Sequence, residues 1–78
     1  MVIAAEDASK VLKDSLNKGT CPVASKAVSS LSMLIGAIEV HQRSGAQLSQ
    51  KQEEFVKQLR SGGFTALEAA FEKKCVKP

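Results

Sequence analysis

The stretch from Pro22 to Arg43, PVASKAVSSLSMLIGAIEVHQR, narrows the folds available to this chain more than any other part of it. At 100° per residue, Ala24, Val28, Leu31, Ile35 and Ile38 fall on one narrow stripe. Val23, Ala27 and Leu34 widen it to an arc of about 140°, the signature of a core-facing helix. Lys26 is the only charge between Pro22 and Ile38. Thr20 is placed to cap this helix, and Pro22 suits its first turn, where the N–H it lacks would be unpaired anyway. A long central helix over residues 22–43 is therefore expected. Gly36 inside it costs about 1 kcal/mol relative to Ala, which predicts that something approaches closely there.

The same helix carries Ser25, Ser29, Ser32 and Gly36 at spacings of four, three and four, a line of small residues beside the apolar arc. One reading is contact with another helix of the same chain. The other is a groove or dimer seam. Met33 and Val40 lie nearly opposite the stripe, and if no other helix covers them they form an apolar patch of the kind that marks interaction sites.

Three shorter segments have helical periodicity as well. Residues 3–17 put Ala5, Ala8, Leu12 and Leu16 on one face, with Gly19 placed to stop the helix. Residues 50–61 put Phe55, Val56 and Leu59 on one face. Ser49 followed by Gln52 has the capping-box spacing, and Gly62 and Gly63 are expected to end the segment. Residues 66–75 put Leu67, Ala70, Phe71 and Cys75 on one face together with Phe64, and Thr65 with Glu68 repeats the capping-box spacing. HQRSGAQLSQ, residues 41–50, is the longest polar stretch and reads as a loop. The expectation is an all-α fold, a small bundle of about four helices around the long central one, in a single domain over residues 1–78. Short connections favour antiparallel neighbours.

Size and composition agree. The 78 residues suffice for one modest core. With three Phe and no Trp or Tyr, that core must be mostly aliphatic. The net charge of +3 divides as +1 over residues 1–44 and +2 over residues 45–78. This falls short of the dense basic face that nucleic-acid binding calls for. The N-terminal MVIAAEDASK lacks the basic and long apolar regions of a signal peptide. The most apolar run, Leu31 to Val40, is ten residues, against about 20 for a membrane span. A cytoplasmic protein without a membrane segment is expected.

Motifs for chemistry are sparse. His41 is the only histidine, and no Cys/His cluster has zinc spacing. Glu53 and Glu54 are adjacent and diverge on a helix. Glu68 and Glu72 share a face, with nearby lysines as expected partners. RSGG lacks the Lys-Ser/Thr of a phosphate loop. No catalytic residue, metal or cofactor is assigned, and no small-molecule substrate is evident. Cys21 and Cys75 stand 54 residues apart. Free thiols are expected in a reducing cytosol. A disulfide joining the start of the second helix to the end of the fourth is the alternative, adding roughly 2–4 kcal/mol. Cys21, near a helix N-terminus, would be a reactive thiol if free.

One stretch has a family likeness. LSQKQEEFVKQL resembles the opening of the DNA-binding region of phage small terminase subunits, a pattern of the form L-[ST]-x-K-Q-x-x-F-V followed by a short Ala-rich helix. Leu48, Ser49, Lys51, Gln52, Phe55 and Val56 match it, and TALEAA (Thr65 to Ala70) loosely matches the helix that follows. The likeness spans residues 48–74. It implies a helix-turn-helix and recognition of viral DNA for packaging. In such a motif the N-terminal residues of the second helix reach base edges; here they are Ala66, Leu67 and Glu68. Lys57, Arg60, Lys73, Lys74 and Lys77 would contact phosphate.

Two functions follow as expectations. The first is a non-enzymatic helical module that binds another protein, or itself as a homodimer, through Ser29, Ser32, Met33, Gly36 and Val40. The second is a DNA-binding regulator or packaging factor. A redox-responsive fold controlled by the two cysteines is a third, weaker reading.

Overall fold

A computed structural model describes residues 2–76. Every regular element among them is helical, as expected. The helices number three, not about four. They are α1 (Val2–Lys18), α2 (Cys21–Arg43) and a third stretch, α3, over residues 50–76. The two predicted C-terminal helices are arms of α3: a first arm Gln50–Gln58 and a second arm Phe64–Phe71, joined by the wide turn Leu59–Gly63 and followed by Glu72–Val76.

The correction comes from the double glycine. Gly62 takes φ 131°, a conformation that L side chains rarely adopt, and the helical path resumes at the next residue. The Phe64 amide donates to the Leu59 carbonyl five residues back, so one hydrogen bond spans the kink that the non-helical Gly62 makes. The pair kinks the helix and does not end it. Thr65 therefore lies inside the second arm, and the residue before that arm, Gly63, offers no side-chain cap. The capping box expected from Thr65 and Glu68 does not form. The one expected from Ser49 and Gln52 does: the Gln52 amide donates to Ser49 Oγ (3.3 Å) and the Ser49 amide to Gln52 Oε1 (3.2 Å).

Gly19, at φ 73°, turns the chain out of α1. The amide of Thr20 and its Oγ1 then both donate to the Ser15 carbonyl, at 3.0 and 3.3 Å. This six-to-one bond closes a carbonyl left open at the helix end. Thr20 thus serves the end of α1, and its side chain makes no capping bond to α2. Pro22 sits in the first turn of α2, as its chemistry suggests.

The chain runs up, down and up again, and α1 and α2 form its most extensive contact. The core consists of Ala5, Leu12 and Leu16 from α1, Ala24, Leu31 and Ile38 from α2, and Val56 and Leu59 from α3, with Val2 and Ala27 at its margins. Phe55, Phe64, Leu67 and Phe71 pack against it while partly exposed. Ala70 and Val23, expected on core faces, are exposed. Ser9 and Ser15 are buried, and Ser15 Oγ donates to the Val11 carbonyl at 2.6 Å. Their small size lets the helices close in where a larger side chain would hold them apart.

The result is a rod of 43 × 18 × 18 Å. Its surface of 5326 Å² exceeds the roughly 4600 Å² usual for its mass, because elongation leaves much of each helix outside.

Candidate functional site

The outward side of α2 departs most from an ordinary protein surface. Met33 is 76% exposed, Val40 65% and Val23 47%. The exposed positions from Pro22 to Val40 carry one charge, Lys26. They span about 27 Å at 1.5 Å per residue. Small domains normally intersperse charges of both signs on such a length. Ser25, Ser29, Ser32 and Gly36 all lie on this exposed side, so the small-residue line faces outward and makes no seam with another helix of the chain. The close approach expected at Gly36 is also absent: a Cβ built there meets no atom within 4 Å. The five residues expected to bind a partner, Ser29, Ser32, Met33, Gly36 and Val40, are together on one accessible face.

The apolar surplus of α2 is visible in another way. Its 23 residues include an 18-residue window of mean hydropathy 1.4, of which 22% is buried. By length and composition alone α2 meets the minimum for a membrane span, which the ten-residue run Leu31 to Val40 did not suggest. Here the helix supplies Leu31 and Ile38 to the core on one side and the charge-poor face on the other. Beside that face, Val11 (45% exposed) and Ala8 of α1 meet Val23, Ala27 and Ser30 of α2 in a shallow groove of 230 Å³, crossed by Lys26.

The basic residues expected to meet phosphate do not assemble on one surface. Lys57 and Arg60 line a shared cleft of 380 Å³ with Gln42 and Glu53. Arg60 Nε is paired with Glu39 Oε1 at 3.2 Å. Lys73 and Lys74 lie a full arm away along α3. Lys74 Nζ donates to the Leu16 carbonyl at 2.7 Å, where a cation also complements the negative end of α1. Its role is within the fold, instead of beside Glu68 or Glu72 as the sequence suggested. Lys77 lies outside the described residues. His41 is exposed in the last turn of α2. Among the described residues, no three His, Cys, Asp or Glu side chains gather as metal ligands.

The cysteines correct the first expectation. Cys21 and Cys75 are joined as a disulfide, with Cα atoms 5.5 Å apart, within the usual range for a bridge. The bond ties the first residue of α2 to the end of α3. Sequence reasoning placed both residues at helix edges but ranked free thiols first, because it assumed a reducing compartment. What decides the pairing is the direction of the second arm, which the kink at Gly62 sets and which periodicity alone does not give.

Compared with protein-family models, curated proteins and solved structures, the chain matches none.

Proposed function

We propose that this chain is a small non-enzymatic helical module that binds another protein, or a second copy of itself, through the outward face of α2. The observation that carries this reading is the exposed strip from Pro22 to Val40, whose one charge is Lys26, with Met33 and Val40 standing out from it. Exposed apolar side chains rimmed by polar residues are a feature of interaction surfaces. Ser29, Ser32 and Gly36 add the property that a partner helix needs, since small side chains let two backbones approach closely. Met33 supplies a flexible, polarizable contact that adapts to a partner's shape.

The test is a Gly36→Leu substitution. The open space at Gly36 accepts a larger side chain, so the fold should survive and any loss should report the surface. Molar mass by light scattering and affinity for the partner are read beside helix content. Loss of association with helix content intact supports the reading. Association unchanged by Gly36→Leu and by Met33→Glu counts against it.

The DNA-binding reading has less support. Arg60 is committed to Glu39 and Lys74 to Leu16, while the arm that would read bases begins with Ala66, Leu67 and Glu68. It predicts that a short duplex is bound with an affinity that falls steeply as salt rises. No retention on a DNA resin at low salt removes it.

The disulfide bears on location. Such bonds persist in oxidising compartments and are reduced in the cytosol. It therefore supports an oxidising setting over the cytoplasm first expected.

A further inference from the structure

We infer that the Cys21–Cys75 bond is the latch of a redox-sensitive arm: reduction frees residues 64–76 to swing about Gly62 while the rest of the bundle stays folded. Three independent features meet in this segment. The first is a hinge. Gly62 holds φ 131° with no atom near its missing Cβ, so the chain there has both unusual backbone freedom and space. The second is weak burial. Neither Phe64–Phe71 nor Glu72–Val76 contains a fully buried residue; Phe64, Leu67 and Phe71 touch the core only partly covered. The third is the fastening, which is concentrated at the far end: the disulfide to the start of α2 and the Lys74 bond to the last turn of α1.

The other parts of the bundle have their own anchors. The first arm buries Val56, and Leu59 follows it in the turn. It is also held by the Ser49/Gln52 capping box and by the Arg60–Glu39 pair just beyond its end. α1 and α2 bury Leu12, Leu31 and Ile38. Segments with few buried apolar contacts are the ones that open first.

The chemistry balances with a dithiol reductant. Reduction breaks the Sγ–Sγ bond, and two electrons and two protons leave thiols on Cys21 and Cys75. The reductant gives up the same two electrons and two protons and closes to its own disulfide. Reoxidation by a disulfide oxidant reverses both steps. Once opened, the arm exposes the apolar side chains of α1 and α2 against which Phe64, Leu67 and Phe71 now pack.

The experiment is amide hydrogen exchange on the full chain, with and without dithiothreitol, beside the Cys21→Ser/Cys75→Ser double variant. In the reduced protein and in the variant, exchange in residues 64–76 should rise at least tenfold more than in residues 24–38, which lose protection only as far as global stability falls. Trypsin should then cut first at Lys73 and Lys74. An equal loss of protection in both segments would show a global staple and overturn the latch. So would an arm as protected after reduction as before, or an air-oxidised protein with two titratable thiols.

Discussion

Gly36, Gly62 and Gly63 show how little the identity of a residue says without its surroundings. Gly36 lies in an exposed helix interior with no atom within 4 Å of a built Cβ. Toward the fold of the single chain, glycine there adds only conformational freedom to the unfolded state, so Gly36→Ala should stabilise by about 0.5–1 kcal/mol in urea unfolding. Gly62 also has space, but its φ of 131° makes any Cβ strained. Gly62→Ala should destabilise by about 1–2 kcal/mol. At Gly63 the backbone angle is ordinary, and the obstacle is steric: a Cβ would lie 2.8 Å from the Gln58 carbonyl oxygen. That neighbour is backbone and cannot rotate away. Gly63→Ala should cost about 1–3 kcal/mol, with the kink displaced. Three Gly→Ala changes with one gain and two losses, read from one set of urea curves, check this assignment.

At the scale of the helix, residues at the ends decided what the sequence could and could not disclose. The arc on α2 and the faces of α1 and the first arm were legible, because helical spacing places Leu12, Leu31, Ile38 and Val56 inward whatever the tertiary arrangement. The exposure of Met33 and Val40 was legible for the same reason. The capping boxes were legible only in part. Ser49 follows a true loop and caps. Thr65 has the same spacing to its Glu but follows a glycine pair that carries the helix onward. Ser49→Ala should therefore cost about 1 kcal/mol, and Thr65→Ala should stay within about 0.5 kcal/mol, both measured by thermal or urea unfolding. The exposed small-residue line, the double duty of Ser15 and the reach of Lys74 to Leu16 depend on which helix lies beside which. Periodicity within one helix has no access to that. The candidate surface was thus found from the sequence by its composition, while the question of whether anything inside the chain covers it needed the packing of all three helices.

At the scale of the whole molecule, the disulfide closes a loop across 54 positions of sequence. In the chain-entropy account, restricting the unfolded ensemble in this way contributes roughly 2–4 kcal/mol. For a chain of this length, reduction should lower the thermal midpoint by roughly 8–30 °C, measured by circular dichroism with and without reductant. The elongated shape gives this small domain more surface than its mass requires, and one core must hold three helices. A bond between the far end of α3 and the start of α2 is efficient in such a shape, because it acts at a pole where few apolar side chains are available to do the same.

The rod also separates the two ends of the described chain. Val2 lies beside Ile38, His41 and Leu48, whereas Cys75 is bonded to Cys21, about 26–30 Å away along α2. Probes attached at Ile3 and Val76 would therefore report on opposite poles. Energy transfer between them would behave as a ruler for the arm, nearly constant while the bridge holds and broadly distributed once the C-terminal segment moves.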